Sequence, residues 1–271
     1  MCIDRHVMKK REQLKRFLIS KGLFYFFNSK LSDLQQTINL VAPQSVGVAL
    51  MRLGGDTDGG YLLPDDMEGI TACFSPGVDF TALFEKDLAT GYSIKSYLAD
   101  YSVSQSPEDS EYIHFEKKFL GTKNNHQFTR LEDWFERHTA ATPNGDYLLQ
   151  MDIEGAEFEV ILDTPQHVLR QFRTIIIEFH GMEKMFHSGH LKKIRSVFQK
   201  LTQNHLVAHI HPNNGRPLFY KDGIEIPKVF EMTLYRKNCC NADQAPLVFP
   251  HKLDCSNVTS KADFSLPKTW Q

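Results

Sequence analysis

The sequence predicts an α/β fold whose central sheet is mostly parallel and has helices on both faces. Short apolar runs alternate along the chain with segments of helical spacing, which is the pattern of repeated strand–helix units. Two of these runs, 147–151 and 174–177, are apolar along almost their whole length, as is typical of strands buried on both faces. Two later runs, 206–210 and 229–235, have no predicted helix between them, so we expect a closing antiparallel strand pair at the sheet edge.

Length and composition favour one large domain. The chain has 271 residues, 41% of them hydrophobic, and a net charge of −2, which gives no general attraction to nucleic acid. The five cysteines form no C-x-x-C pair, a usage typical of free thiols in a reducing compartment, so we expect a cytoplasmic protein. No apolar stretch of the sequence is long enough to span a bilayer, so we expect no transmembrane span.

Three regions are expected along the chain. Residues 1–45 are predicted to form an N-terminal helical cap, 46–237 the main domain, and 238–271 a C-terminal tail that is packed on the domain or disordered. The cap has basic residues just before the apolar patch 17–27. We interpret the patch as a helix packed on the domain. Contact with a membrane surface, or with a second copy in a homodimer, remains as an alternative.

Carboxylates and a histidine stand where two of the predicted strands end. Asp152 and Glu154 follow the run 147–151, and Glu178 and His180 close the run that contains 174–177. In open α/β sheets, ligands bind beyond the carboxyl ends of the strands, so these four side chains face one crevice if the two strands are neighbours. The structural alternative is that Asp152 caps the following helix and Glu154 lies in its first turn.

The first half of the chain has the features of a nucleoside-binding unit. A loop around Gly77 lies between a predicted strand and a predicted helix, although it has only one firm glycine and matches G-x-G-x-x-G weakly. Asp100 ends the next predicted strand roughly 20 residues later, which is where an acidic side chain accepts hydrogen bonds from ribose. Tyr101 is a candidate for packing on the base. The glycine-rich turn around Asp58 is a further candidate, with a plain β-hairpin as the alternative.

Four motifs follow one another in a recognisable order. They are Asp58-Gly59-Gly60-Tyr61, Phe74-Ser75-Pro76-Gly77-Val78-Asp79 with Phe84-Glu85, Asp152-Ile153-Glu154-Gly155-Ala156-Glu157, and Glu178-Phe179-His180. In these motifs the sequence resembles the FkbM family of methyltransferases over about residues 46–236. The resemblance implies a Rossmann-like sheet of the class I S-adenosylmethionine-dependent methyltransferases. It also implies an O-methyltransferase that acts on a hydroxyl of a sugar, a glycan or a glycosylated metabolite.

The resemblance also implies cofactor contacts. Ser75 and Gly77 are expected at the methionine end of S-adenosylmethionine, Asp100 at the ribose, and Glu85 as support. The full set of predicted cofactor-binding residues is Ser75, Gly77, Asp79, Glu85, Asp100, Tyr101, Asp58 and Asp152. Pro76 and Val78 replace the small residues that are usual in the first loop.

Catalysis at a hydroxyl requires a proton acceptor. His180 is the first candidate for the general base and His211 the second, because an imidazole titrates near working pH. Asp152 and Glu178 are candidates for orienting the base or binding the acceptor. Together with His211, they are also candidate ligands for Mg²⁺ or another divalent cation that lowers the pKa of the hydroxyl.

Other functions stay open at this stage. The weak Gly77 loop is compatible with a catalytically silent binding protein that keeps the methyltransferase fold. Asp100 would serve equally well in an NAD-dependent enzyme, although the missing glycines and the acidic strand ends disfavour that function. A methyltransferase that acts on a protein or a lipid is a further alternative.

Overall fold

The computed structural model describes residues 13–14, 17–21, 28–78, 80–142, 144–241 and 246–271. Much of the predicted N-terminal cap therefore lies outside the described residues, as does the predicted cofactor contact Asp79. None of the helices in the described ranges is long and apolar enough to cross a membrane.

The strands form one large sheet and three small two-stranded sheets. They are β1 (Leu50–Leu53), β2 (Tyr61–Pro64), β3 (Ile70–Pro76), β4 (Lys95–Ala99), β5 (Ile113–Glu116), β6 (Phe119–Gly121), β7 (Phe128–Arg130), β8 (Asp146–Met151), β9 (Phe172–His180), β10 (His205–Pro212), β11 (Leu218–Lys221), β12 (Ile224–Pro227) and β13 (Val229–Arg236).

Helices lie between the strands. They are α1 (Leu31–Asn39), α2 (Leu83–Tyr92), α3 (Leu131–Thr139), α4 (Glu157–Asp163), α5 (Gln166–Leu169) and α6 (Ser188–Thr202), with short 3₁₀ helices at Met182–Phe186, Lys237–Cys239 and Lys268–Trp270.

The large sheet is mixed, with seven strands in the order β10-β13-β9-β8-β3-β4-β5. The neighbouring pairs from β9 to β5 are parallel, whereas β13 is antiparallel to both β9 and β10. The structure confirms the predicted α/β class, the large sheet and the closing antiparallel pair at its edge. The connection between the two closing strands contains the small hairpin β11–β12, which the sequence analysis did not predict.

The apolar patterns explain why these elements pack as they do. Strand β9 is buried along both faces up to Phe179, because helices cover the sheet on both sides. Helix α6 buries one apolar stripe and exposes its other face to solvent. The stripe consists of Leu191, Ile194, Val197, Phe198 and Leu201.

Both ends of the described chain are fastened to the domain. Helix α1 is held to α6 by Arg195, whose Nε donates to Thr37 Oγ1 at 2.9 Å. Near the C-terminus, Trp270 is fully buried against Phe230, and its Nε1 donates to the Glu225 carbonyl at 2.9 Å. The tail 246–271 therefore runs along the domain and brings polar residues to the edge of the central cavity.

Candidate active site

The sheet order reverses between β3 and β8. From β3 the chain builds outward through β4 and β5, and from β8 it builds the other way through β9. A ligand crevice is expected at this switch point, beyond the carboxyl ends of the parallel strands. The structure has a cavity of about 1590 Å³ there. Its lining includes the predicted site residues Asp58, Gly77, Glu85, Asp100, Asp152, Glu178 and His180.

Gly77 allows the loops after β3 and β8 to touch. Its φ is +86°, and a Cβ added to it would lie 1.5 Å from the carbonyl oxygen of Asp152. The Asp152 amide in turn donates to the Pro76 carbonyl at 3.2 Å. Only glycine permits this approach, because any side chain would push the two loops apart.

A buried hydrogen-bond chain supports the loop after β3. The Ser75 hydroxyl contacts Glu85 and lies 2.6 Å from Gln150 Oε1, and Gln150 Nε2 donates to the Tyr61 hydroxyl at 3.1 Å. Burial raises the pKa of Glu85 despite the hydrogen bond from Ser75, which lowers it. A protonated Glu85 can donate to Ser75, which then donates to Gln150. We call Tyr61, Ser75, Glu85 and Gln150 the Ser75 network. In this arrangement it is neutral and each of its members has a partner.

Asp100 lies at the end of β4 and shapes the same loop. Its Oδ2 accepts from the Val78 amide at 3.1 Å, and its Oδ1 accepts from the Ser102 amide and hydroxyl at 2.7 Å each. The same carboxylate belongs to the lining of the cavity. Asp100 thus fixes the loop and faces the cavity at once.

Three carboxylates stand side by side across the sheet. Glu178 on β9 is opposite Glu231 on β13, and Met151 of β8 pairs with Ile177, which places Asp152 next to Glu178. We call Asp152, Glu178 and Glu231 the carboxylate row. Glu178 and Glu231 are each only 6% exposed. His211 on β10 continues the line, because it pairs with Glu231.

Asp152 and Glu178 have raised pKa values. Burial raises the pKa of Asp152, and the charges of Glu178, Glu154 and Glu157 add to that effect. Burial and the charge of Glu231 likewise raise the pKa of Glu178, against the opposing influence of His180 and Asn213. Asp152 and Glu178 therefore share two causes of a raised pKa, which are burial and neighbouring negative charge.

His180 is held by carboxylates on both ring nitrogens. Its Nδ1 lies 3.0 Å from Oε1 of Glu157, a side chain that is 0% exposed. Its Nε2 faces Glu178 Oε2 at 3.4 Å, Glu154 Oε2 at 3.5 Å and Asp152 Oδ1 at 3.9 Å. Burial lowers the pKa of His180, but the hydrogen bond to Glu157 and the nearby carboxylate charges outweigh it, so the pKa is raised.

The turn after β8 positions these groups. Glu154 has a φ of +54°, and Gly155 follows it with a φ of +107°. Non-glycine residues in this region are uncommon and collect at functional sites. Helix α4 has Ala156 as its N-cap without a side-chain cap bond. The structural alternative for Asp152 and Glu154 is therefore wrong, because Asp152 does not cap the helix and Glu154 precedes its first turn.

Three predicted site residues lie away from the cavity lining. Ser75 is buried behind the wall in the Ser75 network, and Tyr101 packs on Phe119 with their ring centroids 5.5 Å apart. His211 pairs with Glu231, its Nδ1 3.7 Å from Oε2, and with Asp263, its Nε2 3.2 Å from Oδ2. In the described structure, a ligand would therefore meet Phe119 rather than Tyr101 and reach His211 only past Glu231.

The predicted metal set of Asp152, Glu178 and His211 needs correction. His211 lies two strands from Glu178, roughly 10 Å across the sheet at the usual strand spacing, and Glu231 stands between them. The described side chains converge differently. Asp152 groups with Glu154 and His180, and a second group consists of Asp58, Glu178 and Glu231.

Sequence reasoning missed several residues at this site. Glu231 is a lone carboxylate within an apolar strand, and it was not assigned a role. Asn257 comes from the tail, and its Nδ2 donates to Asp58 Oδ1 at 3.0 Å and to Glu231 Oε1 at 2.6 Å. Gln150 lies in the apolar run 147–151 and Glu157 closes the motif that begins at Asp152, but neither was assigned a role.

The mixed sheet and the cavity at its parallel strand ends are consistent with a methyltransferase fold. The sequence profile described as "Methyltransferase FkbM domain" matches residues 33–204, which is more than half of the chain. The chain therefore belongs to the FkbM methyltransferase family, and the predicted resemblance is confirmed. The matched region begins earlier than predicted and ends before β10, so His211, Glu231 and Asn257 lie beyond it.

The chain was also compared with solved structures and with curated proteins. The solved structure of the methyltransferase CalO6 is similar to this chain at 12% sequence identity and a TM-score of 0.28. The match covers 62% of this chain and 58% of CalO6, so it spans less than two thirds of that protein. No curated protein matches the chain.

Proposed function

We propose that this protein transfers a methyl group from S-adenosylmethionine to a hydroxyl oxygen of a sugar, a glycan or a glycosylated metabolite. The observation that supports this most directly is the pairing of His180 with the buried Glu157 at the cavity wall. With Glu157 accepting a hydrogen bond from Nδ1–H, the neutral imidazole has its unprotonated nitrogen, Nε2, on the cavity side. That is the arrangement required of a general base.

The cofactor is assigned to the half of the cavity around β3 and β4. Gly77 lets the loop after β3 lie directly against the Asp152 loop, and the Asp100 carboxylate lines the cavity at the end of β4, where such sheets bind ribose hydroxyls. The Ser75 network holds this wall from behind. The cavity of about 1590 Å³ exceeds the roughly 300–1,000 Å³ typical of a site for one small ligand, which supports room for a second reactant.

The reaction is an in-line displacement. The acceptor oxygen forms a bond to the methyl carbon, the bond from that carbon to sulfur breaks, and sulfur keeps the electron pair. The hydroxyl proton passes to Nε2 of His180, while Glu157 stabilises the resulting imidazolium. Holding the oxygen, the methyl carbon and the sulfur in line supplies much of the rate increase.

The acceptor is assigned to the half of the cavity near β10 and the tail. Arg216, Lys228, Lys261 and Phe264 line this half. Lys261 Nζ donates to the Gly215 carbonyl at 3.1 Å, which ties the tail to the turn after β10. Charged and hydrogen-bonding groups beside an aromatic ring suit a hydroxyl-rich acceptor better than an apolar one.

Methylation of a panel of acceptors tests this proposal. The full chain is incubated with S-adenosylmethionine that carries a deuterated methyl group, together with free sugars, nucleotide sugars and glycans, and the products are analysed by mass spectrometry. We expect transfer to a hydroxyl-bearing acceptor. Replacement of the base in His180→Ala should lower kcat by about 10²–10⁴-fold while S-adenosylhomocysteine still binds.

The control is His190→Ala, which removes an exposed histidine from α6 and should leave turnover unchanged. Transfer only to a protein or lipid acceptor would replace the sugar assignment. S-adenosylhomocysteine binding without methylation of any acceptor would favour the silent binding protein. Unchanged turnover in His180→Ala would refute the assignment of the base.

A further inference from the structure

A compact group of carboxylates lies next to His180 on the acceptor side of the cavity. One oxygen each from Asp58, Glu178 and Glu231 lies within 4.8 Å of the others. Glu178 and Glu231 are opposite residues of the antiparallel pair β9–β13, and both are almost fully buried. Like charges that face each other directly across a strand pair are destabilising, and buried charges need a partner.

The described neighbours of this group do not balance its charge. Asn213 Nδ2 donates to Glu178 Oε1 at 2.7 Å, and Asn257 Nδ2 donates to both Asp58 and Glu231. These amides bring hydrogen bonds but no positive charge. The neighbours that can take up a positive charge are two imidazoles, that of His180 at 3.4 Å from Glu178 and that of His211 at 3.7 Å from Glu231, and neither is a permanent cation. In the described part of the chain, no lysine or arginine pairs with the three carboxylates.

Asn257 supplies an independent observation. Its side chain is only 7% exposed, and its amide lies between Asp58 and Glu231. Its Oδ1 is buried and has no hydrogen-bond partner in the described structure. Buried polar atoms almost always have a partner, so an amide that faces the carboxylates with Nδ2 is only half satisfied in this orientation. A half-turn of the amide would place Oδ1 between the two carboxylates, a position that is favourable only if a cation is there.

We propose that Asp58, Glu178 and Glu231 bind a hard divalent cation such as Mg²⁺ or Mn²⁺, with the side-chain oxygen of Asn257 as a further ligand. An all-oxygen set with several carboxylates is the preference of such ions. Two ligand oxygens of one ion are separated by at most twice its bond length, roughly 4.2 Å for Mg²⁺ and about 4.8 Å for Ca²⁺, and the three carboxylate oxygens lie within the larger of these limits.

The role of the ion rests on the proposed methyl transfer. Glu178 contacts His180 Nε2 on one side and belongs to the ion site on the other. An ion here would hold the acceptor hydroxyl next to the base and favour loss of its proton to Nε2. The ion itself neither gains nor loses electrons. Its function is to orient the acceptor and stabilise the developing alkoxide.

Electron paramagnetic resonance tests the site without any turnover. The full chain is freed of metal with EDTA, exchanged into buffer and titrated with Mn²⁺, and loss of the free-ion signal reports binding. We expect one Mn²⁺ per chain, displaced by Mg²⁺. Glu231→Gln and Asp58→Asn should each weaken binding at least tenfold. The matched control Glu225→Gln, at an exposed position on β12, should bind as the wild type does.

Each result decides one question. Absence of bound Mn²⁺, or equal affinity in the wild type and in both site variants, would overturn the ion site. Melting curves in EDTA show that each variant is folded. Titration with S-adenosylhomocysteine in EDTA separates this inference from the proposed function. Cofactor binding without Mn²⁺ binding would refute the ion site alone. Mn²⁺ binding without cofactor binding or methyl transfer would refute the proposed function alone.

Discussion

The two halves of the cavity satisfy their polar groups in different ways. The Ser75 network around β3 is a continuous hydrogen-bond chain whose acidic member, Glu85, has a raised pKa and can be neutral. The carboxylate row on β8, β9 and β13 places Asp152, Glu178 and Glu231 side by side and leaves Asp152 Oδ1 without a partner in the described structure. The first half is complete without a ligand, whereas the second half gains from a cation. We therefore infer that the cofactor half is pre-organised and that the acceptor half is completed by what it binds.

The largest expected effect comes where the two halves touch. In Gly77→Ala, the new Cβ would collide with the Asp152 carbonyl at 1.5 Å, and the positive φ would be strained as well. Calorimetric titration should show that S-adenosylhomocysteine binding falls by roughly 10²-fold or more, since the loop that faces the cofactor must move. Gly91→Ala is the control, because a Cβ there meets nothing within 4 Å. Wild-type affinity in Gly77→Ala would show that the contact between the loops does not shape the cofactor site.

Glu157→Gln tests how the base is held. The substitution keeps the size of the buried side chain but removes the charge that orients His180 Nδ1–H and stabilises the imidazolium. We expect kcat to fall by about 10²-fold, within the ~10²–10⁴ that a general base contributes, with little change in cofactor affinity. The pH profile of kcat should shift to lower pH in the variant, because Glu157 raises the pKa of His180. An unchanged profile would show that Glu157 has only a packing role.

His205, at the start of β10, provides a pH control outside both halves. Burial lowers its pKa to about 4, and its Nε2 lies 2.8 Å from the Phe172 carbonyl. The unfolded chain takes up this proton near pH 6.5 and the folded chain only near the lower value. The stabilisation of the folded state by neutral His205 is therefore fully present above about pH 6.5 and is lost as the pH falls towards the lower value.

Urea unfolding measures the free energy of unfolding. The contribution of His205 to it should fall by about 2 kcal/mol between pH 8 and pH 5. His205→Gln should remove that part of the pH dependence, because its amide can still donate but does not titrate over this range. An identical pH dependence in the variant would contradict the lowered pKa.

The smallest expected effect comes from replacing one glutamate by glutamine in each half of the cavity. Without a cation, Glu231→Gln removes a charge that faces Glu178, so it should raise the free energy of unfolding by roughly 1 kcal/mol. Glu85→Gln should change it by less than about 1 kcal/mol, because the amide of the same shape can still donate to Ser75. Thermal melts in EDTA measure both. If Glu231→Gln destabilised the protein and Glu85→Gln stabilised it, the proposed difference between the two halves would be contradicted.

The sequence predicted which polar side chains meet at the ends of the parallel strands. The side chains of Asp152, Glu178 and His180 meet because parallel neighbours bring their carboxyl ends to one edge, a rule that requires only strand order. The placement of Glu231 required the antiparallel register of β13, and a slip of one residue would have turned it to the other face. The contact of Asn257 depends on how the tail crosses the domain, which no local pattern encodes. Ser75 was predicted to contact the cofactor directly, yet it points into the wall, because the turn at Gly77 brings backbone to the cavity instead.

Titration with S-adenosylhomocysteine in EDTA tests the central claim most directly. Isothermal calorimetry compares the wild type with Asp100→Asn in the cofactor half and Glu231→Gln in the acceptor half. Because the cofactor half is complete without a cation, the wild type and Glu231→Gln should bind with equal affinity. Asp100→Asn should bind about tenfold more weakly or worse, since it loses charge-assisted hydrogen bonds both to the loop and to the ribose. No binding to the wild type, or equal weakening in the two variants, would contradict the division of the cavity into these halves.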